Sequence, residues 1–261
     1  MLVRSFVAMG DSFTEGMDDP YPDDSGYRGW ADLVATELAA RAATEGAGFR
    51  YANLAVRGRL FDGVVDGQVP QALAMRADVY SFAAGGNDAL RRGFDPAVML
   101  ARFDATVAAL RATGGEVLLF RFADLTRRLP GKRILRPRID ALNAGIFATA
   151  DRHGARVVDL WGDYEYDNPS MWSTDRLHLS TAGHRRVAAT VLAVLGEPVG
   201  PEWLTEVPRP RPLPWPAARG ADLRWLREHL VPWMGRRLAG RPSGDTVAPK
   251  RPTLTDLIPP R

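Results

Sequence analysis

The chain has 261 residues, 46% of them hydrophobic and 25% charged, the profile of a globular protein with a sizeable core. It contains no cysteine, which excludes disulfides, thiolate metal sites and cysteine nucleophiles. The formal net charge of +3 is unevenly placed: residues 198–261 hold 11 basic and 6 acidic residues, so the basic character belongs to the tail and says little about the body.

Residues 1–5 lead directly into an apolar run without the charged and apolar regions of a secretory leader, and no stretch nears the roughly 18 apolar residues of a membrane span. The expectation is a soluble, cytoplasmic protein. The first strand is expected over 5–9, where Phe6-Val7-Ala8-Met9 gives way to Gly10-Asp11-Ser12. A helix is expected over 30–41 and a second strand over 51–56, with Gly58 just after it. The third strand, 79–83, is followed by Gly85-Gly86-Asn87-Asp88. Val98, Leu100, Ala101, Phe103, Val107 and Leu110 mark a helix over 96–112 by their spacing. A fourth strand over 117–122 and a helix over 138–153 come next, then a fifth strand over 156–160. Asp175-Arg176-Leu177-His178 lies in the loop ahead of a final helix over 181–195.

Short apolar strands alternating with helices predict an α/β fold, a five-stranded parallel sheet covered on both faces. Ligands of such sheets sit outside the carboxyl ends of the strands. Ser12, Gly58, Asn87 and the Asp175/His178 pair all fall at those ends, on one rim. A serine hydroxyl is a weak nucleophile until a base takes its proton, and a histidine serves better when a carboxylate fixes its tautomer. Singly, each residue has an ordinary reading: Ser12 as a helix cap, Gly58 and Gly85-Gly86 as turn glycines, Asn87 and Asp175 as loop hydrogen-bonders, His178 as an exposed loop histidine. Together, they would require five coincidences at one place.

The segments Gly10-Asp11-Ser12, Asn53-Leu54-Ala55-Val56-Arg57-Gly58, Gly85-Gly86-Asn87-Asp88 and Asp175-Arg176-Leu177-His178 resemble, in order, four sequence blocks of the SGNH (GDSL-type) hydrolases. That resemblance implies a flavodoxin-like three-layer α/β/α sandwich and a serine esterase or lipase acting on a small-molecule acyl ester. It implies Ser12 as nucleophile, His178 as base and Asp175 orienting the histidine. It also implies an oxyanion hole of the Ser12 N–H, the Gly58 N–H and the Asn87 side chain. Asp11 and Asp88 are read as supports of this geometry. No cofactor is expected, and no metal, because none of the other histidines has metal-ligand spacing with a second: His153 lies near a helix end, His184 in the final helix and His229 in the tail. No serine lies in a Gly-x-Ser-x-Gly elbow. Acyl transfer by the same triad stays open, as does a catalytically idle binding module.

Tyr21, Pro22, Tyr27 and Trp30 follow the serine closely and are expected to wall a pocket. Arg121, Arg127, Arg128, Lys132, Arg133, Arg136 and Arg138, in or beside the link 122–138, suggest either an anion-receiving loop or a solvated one. The domains are expected as a hydrolase body, 1–197, and an extension, 198–261, that holds 13 of the 20 prolines and four of the seven tryptophans. Within it, 221–238 reads as a basic amphipathic helix kinked or divided by Pro232, and 240–261 as irregular. Packing over the core through Trp203, Trp215, Trp225 and Trp233 is favoured. Membrane-surface contact by this helix is the less favoured account. Specific nucleic-acid binding through Arg224, Arg227, Arg236, Arg237 and Arg241 lacks a recognition motif. The oligomeric state is left open.

Overall fold

The computed structural model describes residues 2–238, 244 and 246–259. Its centre is a six-stranded sheet: β1 (Ser5–Gly10), β2 (Arg50–Asn53), β3 (Val79–Ala83), β4 (Glu116–Arg121), β5 (Arg156–Asp159) and β6 (Arg251–Asp256). The spatial order is β5-β4-β3-β1-β2-β6, with the first five strands parallel. The order turns back between β1 and β3, which opens a crevice at their carboxyl ends.

Alternation along the strands feeds two cores. Phe6 and Ala8 of β1 face one side with Leu118 and Phe120 of β4; Val7 and Met9 face the other with Val117 and Leu119. The first side is covered by α2 (Gly29–Thr44) and α8 (Thr181–Leu195), through Trp30, Val34, Leu38, Val187 and Val191. The second is covered by α3 (Phe61–Gly67), α4 (Val69–Met75), α6 (Pro96–Arg111) and α7 (Lys132–His153), through Phe61, Phe103, Leu110 and Ile146. This is the three-layer α/β/α sandwich. The one-turn helices α1 (Ser12–Glu15) and α5 (Gly86–Ala89) start directly at the carboxyl ends of β1 and β3.

The structure corrects the sequence in four places. The sheet has six strands, not five: β6 pairs antiparallel with β2 in a stretch whose polarity and prolines masked it. Pro252 is tolerated there because an edge strand needs only one hydrogen-bonded side. The link after β4 is partly helical, since α7 begins at Lys132 and carries Pro137 within it. Four of its arginines are held, Arg127 on Asp167, Arg128 on the Tyr166 carbonyl, Arg136 on Asp124, and Arg138 on the carbonyls of Ala89 and Arg91, whereas Lys132 and Arg133 are exposed. The tail helix starts earlier than expected, at Trp215, and leaves regular α geometry just ahead of Pro232. α9 (Trp215–Trp225) passes through a π turn, Leu226–Leu230, into α10 (Val231–Leu238). The proline ring would crowd the carbonyl four residues back, and the widened turn relieves that clash.

The tail is tied down along its course. Asn168 and Ser170 hold the carbonyls of Val207 and Pro208, and Arg185 lies 5.6 Å from the Trp203 ring. Trp225 is buried and Trp203 partly so, but Trp215 is 73% exposed and does not pack on the core. Arg241 lies outside the described residues, as do the side chains of Arg236 and Arg237.

Candidate active site

Each piece of the rim is held by a local device. Gly10 ends β1 where an added Cβ would come within 2.7 Å of the Ala83 carbonyl. The buried Gln68 amide clasps the Gly10 peptide from both sides, accepting from its N–H and donating to its carbonyl at 2.8 Å each. Asp11 then caps α1, its Oδ1 accepting from the Phe13 N–H at 3.0 Å, which places Ser12 at the start of the helix. Gly58 sits at φ +74°, a region a side chain disfavours. The Glu15 carboxylate fixes the turn before it by accepting from the Arg57 backbone N–H at 2.6 Å and from the Arg57 guanidinium. Asp88 accepts from the Phe61 N–H at 2.8 Å and so ties α5 to α3.

The loop ahead of α8 brings in the remaining groups. Asp175 Oδ1 accepts from the N–H groups of Leu177 and His178, both at 2.9 Å. Its Oδ2 lies 2.5 Å from His178 Nδ1, and His178 Nε2 lies 2.9 Å from Ser12 Oγ. Serine, imidazole and carboxylate thus form one continuous hydrogen-bonded series across 166 residues of sequence separation. Asn87 Nδ2 donates to Asp11 Oδ2 at 2.9 Å and to the Arg59 carbonyl at 3.1 Å, which occupies both amide hydrogens.

Burial opposes the charge on Asp175, but its bond to His178 and the imidazole's charge outweigh it and hold the carboxyl well below the usual range. Burial pulls the His178 imidazole down; Asp175, then Asp18 and Asp11, overcome this and leave it raised. Asp11 itself is lifted to about 6 by burial, and Asp88 is raised for the same reason. Asp18 stands 3.9 Å from His178 Nδ1. That nitrogen is already committed to Asp175, so a cation among these three groups would compete with the hydrogen bond between them.

Of the other histidines, His184 is buried, accepting from the Trp30 N–H at Nδ1 and facing the Met17 carbonyl at Nε2. Burial lowers it to about 4, so it stays neutral. His153 meets Asp104 at 3.0 Å at the end of α7. Tyr21, Pro22, Tyr27 and Trp30 do not line the cavities at Ser12: Trp30 is fully buried in the core and the Tyr21 hydroxyl is held by Asp32. The cavity walls come instead from Met17, Leu90, Phe122 and Leu177 among others. Gln68 and Glu15 escaped the sequence reading because an amide or carboxylate that grips a distant backbone leaves no local pattern.

A serine–imidazole–carboxylate series at the carboxyl ends of a doubly wound sheet defines the class of serine acyl hydrolases. The family model for the GDSL-like lipase/acylhydrolase family matches residues 8–186, and the chain belongs to that family of ester-hydrolysing enzymes. No curated protein matches the sequence. Among solved structures, that of TesA is similar, with 24% identity and a TM-score of 0.57, covering 74% of this chain and 98% of its own. The acetyl xylan esterase Axe2 variant W215I from Geobacillus stearothermophilus gives 20% identity and a TM-score of 0.58, covering 77% and 100%. A GDSL-like lipase structure from Parabacteroides merdae gives 16% and 0.61, covering 74% and 95%. These likenesses show the fold. Among the described residues no helix is long and apolar enough to cross a membrane.

Proposed function

We propose that the chain hydrolyses a small-molecule carboxylic ester through an acyl-enzyme on Ser12. The observation that carries this is the unbroken series from Ser12 Oγ through His178 to Asp175, at 2.9 and 2.5 Å. His178 takes the serine proton as Oγ attacks the acyl carbon, and Asp175 stabilises the imidazolium. The oxyanion is held by the Ser12 and Gly58 N–H groups and by Asn87. For Asn87 to donate, its longer contact, to the Arg59 carbonyl at 3.1 Å, is the one exchanged for the oxyanion. Asp11 keeps its hold on the same amide throughout. His178 then protonates the departing alcohol and activates the water that frees the acid. Residues 1–197 form the hydrolase body in this reading and 198–261 an extension, in keeping with a family match that ends at residue 186.

The test is p-nitrophenol release from acetyl, butyryl and octanoyl esters. Ser12→Ala and His178→Ala should each lower kcat by a factor on the order of 10⁴ or more. A fluorophosphonate should label Ser12 in the unmodified protein. Retained turnover in Ser12→Ala would assign the nucleophile elsewhere, and a chain that neither turns over nor labels would not be a serine hydrolase.

A further inference from the structure

The tail reaches the same rim. Trp225 Nε1 donates to the Asp175 backbone carbonyl at 2.8 Å. Arg176, the next residue, sits at φ +64°, a left-handed conformation that a non-glycine side chain holds only where its surroundings enforce it. The Asp175 carboxylate holds this turn from within through the Leu177 and His178 N–H groups, and α9 holds it from outside: the Arg176 guanidinium pairs with Asp222 at 2.9 Å and lies 4.9 Å from the Trp225 ring centroid. Three contacts from one helix therefore fix the segment that joins Asp175 to His178.

Just beyond Trp225 comes the π turn, a feature frequent at functional sites. Its residues Glu228, His229 and Leu230, with Trp233 of α10, line a chamber of about 710 Å³ that Ser12 and His178 also line. A second cavity, about 90 Å³ and walled by Phe13, Phe122, Leu160 and Trp172, also borders Ser12. His178 borders both cavities, so its proton can reach a leaving oxygen in either, and size divides them: a bulky alcohol fits only the larger. The acyl group, which stays on Ser12 until water arrives, then fits the small apolar cavity.

We propose that the C-terminal helix belongs to the active site: Trp225 positions the Asp175–His178 segment, and the turn after it walls the space for a bulky alcohol esterified to a short acyl group. This rests on the serine-ester reading for its substrate, though not for its geometry. All the tail residues involved lie beyond the family match, which ends at 186.

Two full-length variants test it. Trp225→Phe keeps an aromatic face for Arg176 and deletes the N–H together with part of the buried ring system. We expect kcat to fall about tenfold with KM nearly unchanged, the mark of a slightly displaced catalytic group. We also expect the His178 imidazole, followed by NMR, to titrate at lower pH than in the parent. The groups that face it are Asp175 on its own loop, Asp18 after α1, Asp11 at the end of β1 and His184 on α8, and only the Asp175 contact is loosened. A lower melting temperature with kcat and the His178 titration both at parental values would make Trp225 merely structural and overturn the positioning role. The double variant His229→Ala/Trp233→Ala should change the ratio of kcat/KM for naphthyl acetate over ethyl acetate severalfold; an unchanged ratio would overturn the wall. A parent chain without turnover or Ser12 labelling would refute the ester reading and the alcohol wall built on it. The NMR titration of Trp225→Phe would still decide the positioning role.

Discussion

Two carboxylates face the His178 imidazole from different parts of the chain, Asp175 at 2.5 Å and Asp18 at 3.9 Å from Nδ1. Burial lowers the imidazole, but these acids and Asp11 leave it above its ordinary value. A general base works only when neutral, so a raised imidazole makes kcat/KM climb later as pH rises. Asp18→Asn removes one raising charge and should move this acidic limb to lower pH, with little change on the alkaline plateau. The check is the pH profile of kcat/KM on p-nitrophenyl acetate; a limb that stays put, or moves up, would remove Asp18 from the electrostatics of the site. The grouping of Ser12, Asp175 and His178 was legible in the sequence because few residue types offer a hydroxyl, a carboxylate and an imidazole at strand ends. Asp18 was legible only as one of several acids in a loop. Its φ of +68°, which turns it toward the histidine, has no signature in composition.

At the scale of elements, the sequence showed the parallel strands and the helices α2, α6 and α8 because their apolar spacing follows from burial against a two-faced sheet. It left α3 and α4 unassigned and began α7 too late. Pro137 lies on an exposed face early in that helix, where a lost hydrogen bond is least felt. What α4's neighbourhood does for the site was also hidden. Gln68, between α3 and α4, fastens them to the end of β1 by its paired bonds to the Gly10 peptide. Gln68→Leu fills the same space but strips the buried Gly10 N–H of its acceptor. A buried donor left unsatisfied costs about 2 kcal/mol. The denaturant midpoint should therefore fall at unchanged slope, and the nucleophile's turn should loosen with it. A midpoint equal to that of the parent protein would mean that the Gln68 clasp adds nothing to the fold.

At the scale of the whole molecule, the tail crosses the rim through α9, π turn and α10, and its last strand returns to the far edge of the sheet. The return is secured by one cation. Lys250 Nζ shares its three N–H donors among four acceptors, the carbonyls of Glu15, Tyr27 and Arg28 at 2.8, 3.0 and 2.7 Å and Asp32 Oδ2 at 2.9 Å. These partners flank the loop that carries Asp18, so the fold links the end of the chain to the site near its beginning. Burial lowers the lysine and Asp32 partly restores it, the balance expected of a desolvated ammonium with a matched acceptor set. Polarity hid this in the sequence, where Lys250 sits among prolines and short polar residues and reads as irregular tail. Lys250→Met preserves the length of the side chain but leaves the Asp32 carboxylate, 5% exposed, with the hydroxyls of Tyr21 and Tyr51 as its side-chain partners among the described residues. Breaking a buried pair from one side costs about 3 kcal/mol. Equilibrium denaturation should show that loss, and limited proteolysis should cut the tail ahead of β6 sooner than in the parent. If stability and cleavage both match the parent, pairing with β2 alone holds the strand in place, and the tail is joined to the serine loop by proximity rather than by free energy.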